Sequence, residues 1–558
     1  MADKILVSLN GEQREVDKGI TLKELFQTSG STRDSSAPLI VAGIVNNRIR
    51  ELTYQLEEDC AIKPIDLSMK DGERIYLRSL TFVFIRACKE LFPNCEVRVE
   101  HSFGGGLYCE LSEDIVLTPR KVENIEQQMR SIIERDEPFE KVDVPIEEAK
   151  KVFIENGMEE KAKIMDLRPE KDISIYRNGW MMDYLYGYMV PSTGYLKEFG
   201  LKFYLPGVII QYPHIEDPYR IRPFQDNPKL FTVFRQSEKW SRLVGVRNIA
   251  DLNQVIRDGR APDLIRISEA LQEKHIAAIA DEIARHTDAI RLILIAGPSS
   301  SGKTTFAQRL RVQLMVNGLQ PVPISMDNYF RNREDVPLDE NGEQDLESID
   351  VIDLELFNEQ MTNLIQGQKV EIPFYNFHTG KREYRGYTIQ VTQDQPIIVE
   401  GIHGLNEKLT EMIPAENKYK IYISALTQLN VDEHNRIPTT DARLIRRMVR
   451  DYQFRGTPIE DTLRMWPGVR RGEERNIFPF QESADIMINS ALLYELSVLK
   501  PIILPLLDKV PEDSIYFPEV NRLSKFLKYF EDMSPDLVDY IPNNSILREF
   551  IGGSCFDV

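Results

Sequence analysis

The apolar and polar positions shift between β-type alternation and helical spacing along the chain. Residues 1–78 alternate short β-type runs with turns: KILVSLNGEQREV, LIVAGIVNNRIREL and GERIYLR. Asn10-Gly11, between two such runs, predicts a hairpin, because both turn positions want φ > 0. TLKELFQ has helical spacing, with Thr21 placed as its N-cap. Domain 1–78 therefore reads as a small α+β unit.

SLTFVFIRACKELFP (79–93) predicts a helix stopped by Pro93. Residues up to 240 then mix strands (CEVRVEHSF, GGGLYCEL) with charged helices (RKVENIEQQMRSIIERD, PIEEAKKVFIEN), a second α+β unit over 79–240. Residues 241–289 read as a helical connector, since SEALQEKHIAAIADEIARHTD is apolar at intervals of three and four. Over 290–500 the runs RLILIA, VPIS, PIIVEG, YKIYIS and ADIMIN alternate with helical stretches. That alternation predicts an α/β domain with a parallel sheet flanked by helices. The tail, 501–558, is acidic, is predicted to be helical, and offers no evident chemistry.

A length of 558 residues suits three or four domains at roughly 150 residues each. The formal charge of -19, from 88 acidic and 69 basic residues, excludes wholesale coating of nucleic acid and leaves room only for a local basic patch. Cys60, Cys88, Cys95, Cys109 and Cys555 are scattered, with no C-x-x-C pair, which predicts reduced thiols. No apolar run approaches the ~20 residues of a membrane span, and the N-terminus lacks the apolar stretch of a signal peptide. The expectation is a cytoplasmic protein with no membrane partner.

The clearest chemistry lies in IRLILIAGPSSSGKTTFAQRL (290–310), a strand, a glycine-bearing turn and a helix. Gly297, Gly302, Lys303 and Thr304 satisfy G-x-x-x-x-G-K-[ST]. Such a turn aims backbone N–H groups and a helix N-terminus at phosphate oxygens, with Lys303 on the β- and γ-phosphates and the Thr304 hydroxyl on Mg²⁺. Pro298, Ser299, Ser300, Ser301 and Thr305 complete the expected nucleotide cradle, so ATP and Mg²⁺ are the expected cofactors.

Three downstream features bear on the reaction. Asp327 ends the run PVPIS, where a carboxylate can accept a hydroxyl proton; a turn or capping aspartate is the alternative. Glu400 ends PIIVEG, where it can hold Mg²⁺ through water or cap a turn. TTDARLIRRMVRDYQFRG places Arg443, Arg446, Arg447 and Arg450 on one helix face, with Arg455 beyond. Like charges so placed call for an anion on that face, unless the face is simply solvated.

With these residues in view, 290 to about 500 resembles the uridine kinase branch of the uridine kinase and phosphoribulokinase family. The carriers, in order, are GPSSSGKTT, SMDNYF, LESIDVIDLELF, VEIPFYNFHTGKR, IIVEGIHGL and DARLIRRMVRDYQFRG. The resemblance implies phosphorylation of a nucleoside 5'-hydroxyl by ATP with Mg²⁺, on a uridine- or cytidine-like acceptor. It makes Asp327 the catalytic base beside the metal, Glu400 the metal-side acid, and Lys303 and Arg446 catalytic contacts. Glu347 would hold the ribose hydroxyls, and Tyr375 and His378 would line the base pocket. Arg443 and Arg446 would contact ribose and phosphates, while Arg450 and Arg455 would form the lid. His378 follows Tyr375 by three residues where the family has five, and ALTQLNVDEHNRIPTT (425–440) is longer than usual. RNREDVPLDENGEQD (331–345) is expected to be a mobile loop near the acceptor.

The front of the chain has its own likeness. Residues 4–78 resemble a TGS domain, and 79 to about 230 resemble the second additional domain of threonyl-tRNA synthetase. That alignment sets Arg78, Phe82, Leu185 and Met189 where the zinc-type ligands of the editing site would stand, and none of the four can replace an imidazole or thiolate. The implied front half binds or regulates without editing. An RNA contact by this half and a homo-oligomer stay open. The competing functions are a kinase of another small alcohol and an ATP-switched RNA- or ribosome-associated regulator.

Overall fold

A computed structural model describes residues 3–28, 37–112, 114–168, 170–336, 347–376 and 378–556. The N-terminal unit is a five-stranded sheet in the order Glu12–Asp17, Lys4–Leu9, Cys60–Asp66, Ile40–Val45, Arg48–Glu51. Asn10 (φ 51°) and Gly11 (φ 91°) make the expected hairpin turn. Thr21 and Glu24 form a capping box on the helix Leu22–Thr28: Glu24 N donates to Thr21 Oγ1, and Glu24 Oε2 accepts from Thr21 N and Oγ1.

GERIYLR is not a strand. It opens a helix, Lys70–Leu91, that runs through the expected 78/79 boundary. Ile75 and Leu77 suit either period, but the stretch from Ser79 to Cys88 is buried throughout and carries the helix N-terminally. Gly72 permits the approach to the preceding strand, since a Cβ there would lie 1.9 Å from the Asp66 carbonyl oxygen. This helix packs on the helix Pro119–Glu134 and shares a core with a four-stranded sheet ordered Gly200–Tyr204, Gly207–Gln211, Gly106–Leu111, Val97–Phe103.

The remaining half is built on a parallel sheet in the order Val322–Ser325, Ile397–Glu400, Leu292–Ala296, Lys418–Ser424, Ile486–Asn489. Leu292 and Leu294 face one core with Phe357 and Met361, while Ile293 and Ile295 face another with Phe306 and Leu310. Burial on both faces explains why the strand reads as an unbroken apolar run. The helix Ala261–Arg285, expected as a connector, shares the core of the helix Lys303–Val316. The tail joins that core too, through Val520, Leu523, Leu547 and Phe550.

Polar contacts fasten the front half to the rest. Arg74 and Arg522 both engage Glu519, and Arg522 also holds Asp441. A buried set, Lys161, Asp183 and His434, joins the front half to the segment before the helix Thr439–Arg455. Among the described residues no helix is long and apolar enough to cross a membrane.

Candidate active site

The strand Leu292–Ala296 delivers the chain to Gly297 at the carboxyl edge of the parallel sheet, where ligands of open α/β sheets bind. A Cβ on Gly297 would lie 2.0 Å from the Ile423 carbonyl oxygen, so only glycine lets the loop leave the strand here. Gly302 takes φ 83° and opens the helix Lys303–Val316. Lys303 Nζ donates to the carbonyls of Gly297 (3.0 Å) and Pro298 (3.2 Å), curling over the loop it would share with phosphate. Burial pushes its pKa down, against the pull of the Glu400 and Glu549 carboxylates.

Register brings the acidic residues alongside. Glu400 sits opposite Ile295 on one neighbour and Ser325 on the other, and Asp327 follows Ser325 by two residues. Thr304 Oγ1 donates to Glu400 Oε1 at 3.4 Å. Burial raises the Asp327 and Glu400 pKa values, while the Lys303 cation lowers both. One hydroxyl, the half-buried Glu400 carboxylate and the exposed Asp327 carboxylate form an oxygen-only donor set suited to a hard cation such as Mg²⁺. Among the described residues no group of three His, Cys, Asp or Glu side chains forms a metal site. Phosphate oxygens and water must therefore complete any shell, as is usual for Mg²⁺.

The arginine helix, Thr439–Arg455, lies against the phosphate loop, but its anions come from this chain. Arg443 makes a two-pronged pair with Glu473 (2.5 and 2.7 Å) and donates to the Ser299 carbonyl at 3.1 Å. Arg446 pairs with Glu495 (2.5 and 3.2 Å) and donates to the Ser300 carbonyl at 3.3 Å. Arg447 reaches Ser299 Oγ at 3.0 Å, Arg450 reaches Glu549 at 3.4 Å, and Arg455 pairs with Asp451. Arg443 and Arg446 are fully buried and brace the loop, while Arg455 is exposed. Burying unpaired guanidinium groups would be costly, which is why Glu473 and Glu495 stand beside them. Glu473 also accepts from Ser299 N at 2.9 Å.

The expected acceptor residues are spread more widely. Tyr375 is buried on the strand Val370–Asn376, edge-on to Phe330 with 5.4 Å between ring centroids, and its N donates to Asn328 Oδ1 at 3.4 Å. His378 lies exposed at the turn of that hairpin, its backbone N on Asn376 Oδ1. The Glu347 carbonyl accepts from Asn476 Nδ2 at 2.7 Å, and a Cβ at Gly472 would lie 2.6 Å from Glu347 Cβ. Of the loop 331–345, residues 337–345 lie outside the described residues. In the front half, Arg78 and Leu185 line a separate cavity, while Phe82 and Met189 are buried in the core.

Sequence reasoning missed Glu473, Glu495 and Glu549. Glu549 lies in the tail and accepts from Thr305 Oγ1 at 3.0 Å, with Ile546 packed over Gly302. Nothing local marks it. Glu473 stands in the charge-rich helix Ile459–Asn476, whose apolar face was the available signal.

Residues 292–495 match the Phosphoribulokinase / Uridine kinase family. The chain is 32% identical over 203 residues to a threonine–tRNA ligase of Symbiobacterium thermophilum, covering 36% of this chain and 31% of that protein. It is 30% identical over 193 residues to threonine–tRNA ligase 2 of Bacillus subtilis, covering 34% and 30%. The chain thus spans about a third of the length of these curated relatives. Among solved structures, a possible uridine kinase from Bacillus stearothermophilus aligns with TM-score 0.28 and 19% identity, over 40% of this chain and 100% of that one. A putative fructose transport system kinase from Silicibacter sp. aligns with TM-score 0.29 and 17% identity, over 38% and 98%. Residues 292–495 therefore belong to the phosphoribulokinase / uridine kinase family, joined to an N-terminal region homologous to the threonine–tRNA ligases.

Proposed function

We propose that this P-loop kinase transfers the γ-phosphoryl group of ATP to the 5'-hydroxyl of a nucleoside, with a uridine- or cytidine-like acceptor. The observation that carries the reading is the meeting of Lys303, Thr304, Glu400 and Asp327 at the carboxyl ends of three adjacent parallel strands. Backbone N–H groups of 297–305 would hold the phosphates, with Lys303 against the β- and γ-oxygens. Mg²⁺ would be held by Thr304, Glu400 and Asp327 and would neutralise charge between the β- and γ-phosphates. Asp327 accepts the proton of the acceptor hydroxyl as its oxygen bonds to the γ-phosphorus and ADP leaves. Desolvation raises its pKa against the pull of the Lys303 cation, and a raised pKa makes the carboxylate a stronger base.

Tyr375 and the hairpin beside Asn328 favour an acceptor with a flat ring over a plain polyol, through an aromatic wall. The deciding experiment screens nucleosides and small alcohols with ATP and Mg²⁺, comparing the unaltered chain with Asp327→Asn. Uridine or cytidine should be phosphorylated, and Asp327→Asn should lose turnover while still binding ATP. If a non-nucleoside alcohol is the better acceptor, the nucleoside reading fails. If no alcohol is phosphorylated while ATP binds, the kinase reading fails with it.

A further inference from the structure

A cavity of about 180 Å³ lies where the N-terminal half meets the parallel-sheet half, and none of its lining residues belongs to the phosphate loop, Asp327 or Glu400. Its wall carries four guanidinium groups, from Arg74, Arg78, Arg436 and Arg522, against the one carboxylate of Asp441. Two of the four are neutralised. Arg522 holds Asp441 through two bonds (2.6 and 2.9 Å) and Glu519 at 2.8 Å. Arg74 is paired with Glu519 and Asp71, both at 3.0 Å.

Arg78 and Arg436 are different. Arg78 Nη1 donates to the Tyr188 carbonyl at 2.8 Å, and neither arginine has a carboxylate within ion-pair distance among the described residues. Asp441, whose field reaches Arg436, is already held by Arg522. Asp71, Asp441 and Glu519 are thus taken up by Arg74 and Arg522, and Arg78 and Arg436 keep no carboxylate of their own. Burial pushes the Arg78 guanidinium down to about 10 and lowers that of Arg436, as expected for cations taken from water without an adequate counterion. A fold that keeps two such groups at a cavity wall leaves their desolvation cost to be met by a ligand.

The wall is also rigid. A Cβ on Gly187, at φ 124°, would lie 2.5 Å from Arg78 Cζ, so the guanidinium rests directly on backbone. The segment bearing Arg436 is pinned at the two residues before it. His434 Nδ1 sits 2.7 Å from Asp183 Oδ2, and Asn435 Oδ1 accepts from Tyr186 N at 2.7 Å. Groups held by such supporting contacts need little reordering when a ligand arrives. Leu77, Leu185, Val431 and Phe526 supply apolar wall beside the cations.

We propose that this cavity is a binding site for a small organic anion with an apolar body, whose carboxylate or phosphate lies between Arg78 and Arg436. Both anion types match the guanidinium fork, and the volume suits a compact ligand well below a nucleoside triphosphate. The site is independent of the kinase reading.

The test is calorimetric titration of the full chain carrying Lys303→Met, which removes the cation of the phosphate loop, with phenyl phosphate, benzoate and inorganic phosphate as probes. Phenyl phosphate or benzoate should bind at one site per chain, and the better of the two tells phosphate from carboxylate. Arg78→Gln and Arg436→Gln should each weaken that binding roughly tenfold, about 1.4 kcal/mol. Arg436→Lys should keep part of it, which separates loss of the cation from loss of the fold. The proposal is overturned if neither organic probe binds, if inorganic phosphate binds as well as phenyl phosphate, or if both glutamine variants bind as tightly as their parent. Binding seen only with Lys303 present would place the anion on the phosphate loop and overturn it equally.

Discussion

Glu549, nine positions before Val558, sets its carboxylate on Thr305, accepting from Oγ1 at 3.0 Å and facing the backbone N–H at 3.5 Å. Thr305 stands in the first turn after the phosphate loop, where N–H groups are the donors that phosphate needs. A carboxylate there competes with a nucleotide for the same donors, and the Arg450 pair holds it in place. Glu549→Gln should therefore raise ATP affinity by about fivefold, the scale of one ordinary hydrogen bond. Titration of a fluorescent ATP analogue measures this, and weakened binding would show that Glu549 supports the cradle instead.

Asp327→Asn should lower kcat by about 10²-fold or more while leaving ATP affinity nearly unchanged, because the amide cannot take the acceptor proton. The base must be deprotonated to act, so activity should rise with pH through its folded pKa. Desolvation raises that pKa above the ordinary value of 3.8 while Lys303 lowers it, so the acid limb of the kcat profile should lie above 3.8. A limb at the ordinary position, retained in Asp327→Asn, would assign the proton to another group.

Glu473→Gln should destabilise the fold by about 3 kcal/mol, since it leaves the fully buried Arg443 without its counterion. The double variant Glu473→Gln with Arg443→Met should recover part of the loss. Urea unfolding of the three proteins separates a broken pair from a general packing defect.

Burial, with Glu238 and Glu110 close by, pushes the Glu100 carboxyl up to about 8. Its folded pKa exceeds the unfolded one near 4.3, so the stability it contributes is complete below that value and is lost as pH rises toward and through 8. Melting temperature should fall between about pH 4.3 and 8, and Glu100→Gln should flatten that fall. Parallel melting curves across this range decide the matter, with an unchanged slope in the variant counting against the assignment.

The nucleotide cradle was legible because its signal is local: an apolar strand, spaced glycines, a lysine and a helix are adjacent in the chain. The parallel sheet was legible for the same reason, in strands such as Leu292–Ala296 whose two buried faces leave no polar position. GERIYLR misled because seven residues cannot separate a period of two from one of 3.6 when burial surrounds the helix that continues them. The arginine face called for anions; in the structure Asp451 lies four positions from Arg447, while Glu473, Glu495 and Glu549 lie 30, 49 and 99 positions from the arginines they meet.

The sequence alone determined the strand–loop–helix unit, the sheet that carries it and the residue types at its carboxyl edge, because backbone preference and periodicity act between neighbours. Only the tertiary structure decided which charges meet. It turned Arg443 and Arg446 inward as braces, brought the tail onto Thr305, and left Arg78 and Arg436 facing a cavity between two halves of the chain. Ion pairing and burial depend on distance in space, and no spacing along the chain encodes that.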